Sequence, residues 1–339
     1  MQKLINKENN TVNYGIYDEK IDFNWSDYKM HNFFDRKVSA FKKKFGFHKF
    51  HFIAFSNENF IVGLAFVDIG IARNIFGYVY QKNKGIICQW QKDIIGKGLK
   101  FTNDIDYNEI YYHAHGIHID IKKNIDIGTI IGHFKYRDIV DLNYEVQLTI
   151  KNKPLRVINP SDFDHWVFTA KRAGLKLNVF DIKANGVKIN MGSNDTLASI
   201  DWSGGFFKRD TSWAWGCGST KINKDIVGFN FAVFNNNALY PENAVWFNDQ
   251  REHVEHILFK WDYNNPYKKG MEIYTSDERI HLWFKPLGQK DDVNSRGFGI
   301  VKTNFRQFFG EYNGHVNCNG KKVTLKKFLG LFELHKALW

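Results

Sequence analysis

The feature that most constrains the fold is an alternation of apolar and polar side chains with a period of two residues. It is clearest in one stretch where every second residue is apolar: Leu142, Tyr144, Val146, Leu148 and Ile150. Successive side chains of a β-strand point to opposite faces, so this stretch predicts a strand with one buried face. Similar runs recur at intervals of roughly 8–15 residues, which is the spacing of an all-β barrel or sandwich.

Two Asn-Gly pairs indicate tight turns between such strands. Asn185-Gly186 and Asn319-Gly320 each separate two strand-like runs. Asparagine and glycine tolerate the positive φ angles that a type I′ turn requires at both of its central positions. Each pair therefore predicts a β-hairpin.

A helical period is clear only near the end of the chain. Leu325, Phe328, Leu329 and Phe332 lie at positions i, i+3, i+4 and i+7, which share one face of a helix. We therefore expect a short C-terminal helix that packs on the β structure.

A faint internal repeat indicates two related units. Residues 61–67 (IVGLAFV) recur as residues 226–232 (IVGFNFA), at an offset close to half of the 339-residue chain. We predict an N-terminal arm (1–20), a first β unit (21–160) and a second β unit that includes the C-terminal helix (161–339).

The composition excludes disorder and argues against a nucleic-acid partner. Aromatic residues make up 17% of the chain, which is enough to bury a large apolar core. The formal net charge is +11, but only Lys42, Lys43 and Lys44 form a tight cluster of cations. Dispersed lysines are typical of a solvated surface, whereas nucleic-acid binding requires clustered cations. Contact with nucleic acid or with an anionic membrane surface is kept as a minor alternative.

Cysteine usage and the start of the chain bear on location. Cys88, Cys217 and Cys318 lie far apart without a C-x-x-C motif, which is compatible with a reducing cytosol. Residues 1–7 lack the apolar stretch of a signal peptide, and no run reaches the ~18 apolar residues of a transmembrane helix. We therefore expect a soluble, cytoplasmic protein, whose oligomeric state the sequence leaves open.

Two short motifs resemble binding sites but lack the required spacing. His113 and His115 would share one face of a strand, with His118 and Asp120 nearby, yet the run lacks the downstream carboxylate spacing that would strengthen a metal site. Residues 216–221 (GCGSTK) lack the order of a phosphate-binding loop and predict a turn. We therefore expect no metal and no cofactor.

The segment that begins at Asp201 carries the strongest candidate site. Trp213 and Trp215 share a strand face, and Asp201 and Arg209 are the nearest charges. If this face and Trp202 line a barrel interior, desolvation would favour a protonated Asp201, as a general acid requires. Asp201 is thus the candidate proton donor, Arg209 the group that sets its charge, and the indoles the lining of the pocket. The structural alternative is an Asp201–Arg209 ion pair with the indoles in the core.

Four further residues are secondary candidates for ligand binding. They are polar or aromatic residues that adjoin or interrupt apolar strands: His165, Asn230, Asn243 and Trp246. A histidine beside an aromatic residue is more often a core or rim residue than a ligand contact.

Taken in order, these segments resemble a bacterial and fungal family known as a domain of unknown function, DUF2804. The resemblance spans residues 20–339 and rests on segments 24–26, 66–70, 169–174, 201–215, 242–246, 305–310 and 333–339. Its most specific element runs from Asp201-Trp202-Ser203 to Trp213-x-Trp215. The family name carries no activity, so the resemblance implies no catalytic residue.

More distantly, the chain is similar to the lipocalin-like superfamily of carotenoid hydratases, tocopherol cyclases and pericyclases. This resemblance implies two calycin-like β-barrels in tandem and apolar, often isoprenoid, substrates. We therefore expect an apolar small molecule in a barrel cavity, with acid-catalysed hydratase, cyclase or isomerase chemistry. A non-catalytic lipid or pigment carrier is the alternative.

Overall fold

The computed structural model describes residues 1–32, 34–70, 72–95, 98–102, 109–124, 126–233, 239–296 and 301–338. Most of the regular structure in these ranges is antiparallel β-sheet, which confirms the predicted all-β class. Neither of the two α-helices in the described ranges has the length and apolar character that crossing a bilayer requires.

Strands account for most elements of the described chain. The first thirteen are β1 (Ile5–Asn6), β2 (Thr11–Val12), β3 (Gly15–Tyr17), β4 (His48–Ser56), β5 (Phe60–Asp68), β6 (Ala72–Gln81), β7 (Gly85–Ile95), β8 (Lys100–Phe101), β9 (Glu109–Ala114), β10 (Ile117–Asn124), β11 (Thr129–Tyr136), β12 (Val140–Gln147) and β13 (Leu155–Asp162). The others are β14 (His165–Leu175), β15 (Leu177–Ala184), β16 (Val187–Lys188), β17 (Leu197–Gly205), β18 (Asp210–Ile222), β19 (Asp225–Val233), β20 (Ala244–Phe247), β21 (Gln250–His253), β22 (Leu258–Trp261), β23 (Met271–Tyr274), β24 (Ile280–Arg296), β25 (Val301–Cys318) and β26 (Lys321–Leu338). The helices are α1 (Ala40–Gly46) and α2 (Pro266–Lys269).

The strands form three large sheets. An eight-stranded sheet, here called the central sheet, has the order β3-β13-β14-β17-β4-β5-β6-β7. A seven-stranded sheet has the order β16-β15-β12-β11-β10-β9-β8, and a nine-stranded sheet has the order β21-β20-β19-β18-β26-β25-β24-β23-β22. Strands β1 and β2 form a separate pair.

The central sheet is covered on both faces. On one face, Phe55 packs against Tyr144 of the seven-stranded sheet, with ring centroids 4.8 Å apart. On the other face, the neighbouring Ala54 shares a core cluster with Phe309 of the nine-stranded sheet. Burial of both faces explains why β5 is apolar almost throughout rather than alternating.

The nine-stranded sheet is curled around a core of its own. Phe229 of β19 and Met271 of β23 belong to one buried cluster, although four strands separate β19 from β23 in the sheet order. Only a strongly curved sheet brings such distant strands together.

Both Asn-Gly hairpins are confirmed. Asn185 and Gly186 join β15 to β16 with φ angles of 50° and 78°. Asn319 and Gly320 join β25 to β26 with φ angles of 51° and 74°. These positive values at both central positions are those of a type I′ turn.

The predicted C-terminal helix is wrong, because its residues form the long strand β26. A β-bulge interrupts the strand between Leu325 and Phe328, where two residues lie opposite Asn313 of β25. Lys327 adopts a φ of 50° there, and its backbone N–H donates to Oδ1 of Asn313. The extra residue shifts the alternation by one position, and this shift produces the spacing that looks helical.

The predicted turn at residues 216–221 is also wrong, because the segment lies inside β18. Aromatic rings fill the space where its glycines lack side chains. A Cβ at Gly216 would lie 2.8 Å from Oη of Tyr312, and one at Gly218 would overlap the ring of Phe328. These glycines thus permit close packing of rings on the strand.

The two copies of the repeat lie in different sheets. Residues 61–67 belong to β5 of the central sheet and residues 226–232 to β19 of the nine-stranded sheet. Residue 160 lies within β13, and the central sheet takes strands from both sides of it. Along the sequence, the largest core cluster ends at Phe206 and the second largest begins at Val227. The arrangement as two tandem units stays a prediction.

Candidate functional site

A cavity of about 450 Å³ lies between the central sheet and the nine-stranded sheet. Strands β4, β5 and β6 supply side chains to one wall, and β18, β25 and β26 supply side chains to the other. Most of the wall surface is apolar, and a small set of polar groups interrupts it. A concave, largely apolar space of this size is typical of a site for one small molecule.

The wall on the central sheet contains a row of residues that lie directly opposite one another on neighbouring strands. From β14 to β6 the row is Lys171, Asp201, Phe52, Ala65 and Phe76. Side chains that face each other in this way are close neighbours on one face of a sheet. The backbone pairing therefore places a cation and a carboxylate beside an apolar surface.

The wall on the nine-stranded sheet contains a second row of the same kind. From β18 to β24 it is Trp215, Glu333, Gln307 and Lys290. The adjoining row on β18, β26 and β25 consists of Trp213, His335 and Phe305. A carboxyl, an imidazole and two indoles thus share one side of the cavity.

Glu333 is the most unusual group in the cavity. Its Oε1 accepts a hydrogen bond from Trp213 Nε1 at 2.7 Å, and its Oε2 accepts one from Gln307 Nε2 at 2.8 Å. Burial raises the pKa of Glu333 to about 7, with the nearby Asp201 adding to the rise and the two donors opposing it. This carboxyl therefore titrates near neutral pH.

Tyr78 fixes the orientation of the Gln307 amide, which donates a hydrogen bond to Glu333. Its hydroxyl donates to Oε1 of Gln307, so that the amide nitrogen of Gln307 points to Glu333. Both Tyr78 and Gln307 are buried. Trp213 and Gln307 therefore both act as hydrogen-bond donors to Glu333. Neither of them can accept the proton when the carboxyl is protonated.

Lys171 is a buried ammonium between two carboxylates. Its Nζ lies 2.7 Å from Oδ2 of Asp201 and 3.3 Å from Oε2 of Glu242. Burial lowers the pKa of Lys171, but the two carboxylates raise it more, so its pKa lies above the ordinary value. Burial also raises the pKa of Glu242. Asp201, which faces the cavity, is thereby held in place by a permanent cation.

His335 lies beside Glu333 on the same face of β26 but behaves as a neutral group. Burial lowers the pKa of His335 to about 3. Its Nε2 is hydrogen bonded to Oγ1 of Thr303 at 2.7 Å, and its ring packs edge-on to Trp213 with centroids 4.3 Å apart. His335 therefore adds a polar but uncharged surface to the wall.

The residues predicted around Asp201 separate into two groups. Trp213 and Trp215 line the cavity with Asp201, as expected. Trp202 points to the opposite face of β17, because it follows Asp201 in a strand, and it packs in the core against Phe23. This corrects its expected place in the pocket.

Arg209 does not accompany Asp201. It is exposed immediately before β18 and lies outside the cavity wall. Lys171 occupies the place expected for Arg209, because β14 pairs with β17 and sets Lys171 directly opposite Asp201. The ion pair considered from the sequence therefore forms with a different cation.

The secondary candidates lie behind the wall or away from it. Asn230 accepts a hydrogen bond from Trp215 Nε1 at 2.7 Å and donates to the carbonyl of Glu242. Asn243 accepts from the backbone N–H of Ala232, which is itself a wall residue. Both asparagines thus position groups of the site rather than face the cavity.

The two remaining candidates have structural surroundings. Trp246 is buried in a small cluster with Val157, and its Nε1 donates to the carbonyl of Lys153. His165 is partly buried at the start of β14, outside the cavity wall. Burial lowers the pKa of His165.

The histidine motif forms no metal site in the described part of the chain. His115 lies in the turn between β9 and β10 with a φ of 54°, so it does not share a strand face with His113. His118 lies opposite His113 instead, and His113 Nε2 bonds to Oδ2 of Asp120 at 2.7 Å. Across the described ranges, no three metal-binding side chains cluster.

Sequence reasoning missed Lys171, Glu333 and Gln307. All three lie in segments that carry the resemblance to DUF2804, which was the available signal. Glu333 and His335 also repeat the i, i+2 spacing of Trp213 and Trp215, but the prediction of a helix concealed it.

Together, the site places a proton-exchanging carboxyl and a fixed ion pair around an apolar, aromatic space. A carboxyl with a pKa near the ambient pH can both donate and accept a proton. Indole faces can stabilise positive charge that develops next to them. The chemistry that this arrangement supports is acid–base catalysis on an apolar molecule.

Solved structures share this fold at low sequence identity. The crystal structure of CghA with Sch210972 matches with a TM-score of 0.54 at 8% identity, covering 86% of this chain and 88% of that chain. A second structure of CghA gives 0.53 at 8% identity over the same shares. The structure of kievitone hydratase from Nectria haematococca gives 0.49 at 10% identity, again over the same shares. The likeness to CghA confirms the lipocalin-like, all-β fold, and at this identity it concerns the fold alone.

No curated protein sequence matches the chain significantly. One family model matches it over residues 6–339, nearly the whole length. The resemblance noted in the sequence is thereby confirmed, and the chain belongs to the family described as a domain of unknown function, DUF2804.

Proposed function

We propose that the protein is an enzyme that binds an apolar small molecule in this cavity and transfers a proton to or from it through Glu333. The proposal rests above all on one observation: a buried carboxyl with a pKa of about 7 in the wall of a largely apolar cavity. Acid-catalysed hydration, cyclisation or isomerisation of a carbon–carbon double bond begins with such a proton transfer.

The surroundings of Glu333 suit a proton donor. Trp213 and Gln307 offer N–H groups, so neither accepts the acidic proton. A substrate carbon or oxygen in the cavity is then the natural acceptor. As the proton leaves, the same two hydrogen bonds become charge-assisted and stabilise the carboxylate that forms.

Asp201 has a different role in this mechanism. Its carboxylate is held by Lys171 at 2.7 Å and faces the cavity from the opposite wall. It can accept a hydrogen bond from a substrate hydroxyl or from an attacking water molecule. The indoles of Trp213 and Trp215 stabilise positive charge between the two carboxyl groups.

Deuterium incorporation tests this proposal before the substrate is known. Compounds extracted from the purified protein are incubated with fresh protein in D₂O, and mass spectrometry follows deuterium bound to carbon. Wild-type protein should label at least one compound, and Glu333→Gln should slow the labelling by roughly 10²–10⁴-fold. Binding of the same compound, followed by tryptophan fluorescence, should remain.

Asp201→Asn is the matched control, because it also replaces a cavity carboxyl by an amide. It should slow labelling less than Glu333→Gln does. The reverse order would assign the proton to Asp201. A compound that binds to the wild type without any labelling would favour the alternative, a non-catalytic lipid or pigment carrier.

We also propose a cytoplasmic location. Cys88, Cys217 and Cys318 are all free thiols buried in the structure. Free cysteines without disulfides suit a reducing compartment.

A further inference from the structure

Lys290 is a second buried cation of the cavity, and the proposed mechanism does not use it. It lies on β24, at the end of the row that contains Glu333 and Gln307, and only 8% of its surface is exposed. Its Nζ lies 5.7 Å from the centre of the Phe76 ring on the opposite wall. The ammonium therefore faces the space that a ligand would fill.

The two buried lysines of the cavity differ in their partners. Lys171 has two carboxylates within 3.3 Å. Within the part of the chain that the structure describes, no carboxylate lies within ion-pair distance of Lys290, and its ammonium lies over the aromatic ring of Phe76. A ring face compensates a buried ammonium less well than a carboxylate does.

The nearest acidic residues are engaged elsewhere. Asp291 lies on the other face of β24, opposite Arg306 of β25. Asp292 shares the face of Lys290, but its carboxylate accepts hydrogen bonds from Gln91 Nε2 at 3.0 Å and from Asn294 Nδ2. Burial lowers the pKa of Lys290, and these two aspartates counteract that effect only in part.

Desolvation of an ammonium without a counter-ion costs free energy, which an anionic ligand group would recover. Two strand spacings separate Lys290 from Glu333, which corresponds to roughly 10 Å. An anion at Lys290 would therefore leave Glu333 free to act on a more distant part of the same molecule. Gln307 lies between these two points in the row, and apolar residues of both walls, among them Phe76 and Phe305, line the surrounding cavity.

We propose that the substrate is an amphipathic monoanion, with a carboxylate or an equivalent oxyanion bound to Lys290 and an apolar body that extends to Glu333. This assignment of substrate class rests on the proposed function of the cavity. It predicts that the protein distinguishes an apolar acid from its neutral ester.

The test compares trans-parinaric acid with its methyl ester, two polyenes that quench tryptophan fluorescence and differ only in the charge of the head group. Wild-type protein should bind the acid more tightly than the ester by roughly 10–100-fold, as expected for a charge-assisted hydrogen bond. Lys290→Met should abolish this preference and leave ester binding unchanged. Lys285→Met, at an exposed position of the same strand, should preserve the preference.

Each outcome identifies the statement that fails. Equal binding of acid and ester by the wild type would overturn the assignment of Lys290 while leaving an apolar ligand site intact. A preference that survives in Lys290→Met would also overturn it. If neither polyene binds to the wild type, both this inference and the proposed function fail. The comparison on the wild type stands even if Lys290→Met does not fold.

Discussion

Two carboxyl groups of this cavity show how neighbours set the role of a residue. Asp201 forms an ion pair with the ammonium of Lys171 at 2.7 Å. Glu333 has an indole and an amide as donors, and no cation lies within ion-pair distance of it in the described ranges. The same chemical group is thus half of an ion pair in one wall and the proposed proton exchanger in the other.

Protonation of Glu333 should be visible in the pH dependence of stability. Its pKa of about 7 in the folded protein lies above the value of about 4.3 for an exposed glutamate. A raised carboxyl pKa stabilises the folded state fully below about pH 4.3, and this contribution disappears as the pH rises through 7. Between about pH 5 and pH 8 the wild type should therefore lose on the order of 2–3 kcal/mol that Glu333→Gln does not lose.

Urea denaturation of both proteins at the two pH values measures this difference. In Glu333→Gln, the amide NH₂ group faces one of the two donors, Trp213 or Gln307, and this lowers the free energy of unfolding. The loss is the same at both pH values, so it cancels when the change between the two pH values is compared for the two proteins. An identical pH dependence for the two proteins would show that Glu333 titrates as an ordinary carboxyl.

Among the elements, β18 depends on glycine for its packing. Gly218→Ala should lower the free energy of unfolding by about 1–3 kcal/mol, because the added methyl group overlaps the ring of Phe328. Ser212→Ala, at an exposed position of the same strand, should change it by less than about 0.5 kcal/mol.

A double-mutant cycle in urea isolates the cause of that cost. Phe328→Leu should destabilise the Gly218→Ala protein less than it destabilises the wild type, by a coupling of about 0.5–3 kcal/mol. Additive effects of the two substitutions would mean that the ring does not restrict position 218.

Elements that depend only on residues close to them in the sequence could be predicted. Elements that depend on a partner strand distant in the sequence could not. The turn at Asn319-Gly320 depends on the backbone freedom of its own two residues. Which side chains of β26 point to each face of the sheet depends on a bulge opposite Asn313, a residue of another strand. No periodicity within residues 321–338 reveals that partner, so the spacing of the apolar residues predicts a helix.

The same reasoning explains what could be predicted of the site. Trp213 and Trp215 stand two residues apart on one strand, so their shared face is visible in the sequence. Lys171 reaches Asp201 across 30 residues of chain, and Glu333 reaches Trp213 across 120. These contacts depend on the order of strands in the sheets, which local patterns do not specify.

At the scale of the whole molecule, the cavity depends on two layers that share a core. Ile61 and Tyr78 of the central sheet belong to one buried cluster with Trp215 and Phe309 of the nine-stranded sheet. Separation of the layers would expose this cluster and open the site. We therefore expect the layers to unfold together, so that tryptophan fluorescence and far-UV circular dichroism give the same midpoint in urea. Two distinct midpoints would indicate that the layers unfold independently.

The bulge at Lys327 determines which side chains of β26 reach the cavity. Before it, Leu325 faces the interior of the nine-stranded sheet, and after it Phe332 does, which turns Glu333 toward the central sheet. If the same residues paired with β25 without the bulge, Phe332 would lie opposite Gln307 in place of Glu333, and the wall would lose its carboxyl at that point. In evolutionary terms, a codon lost at the bulge itself leaves every later pairing of β26 intact, whereas a codon lost between Phe328 and Glu333 places Leu334 opposite Gln307 and removes the acid from the wall.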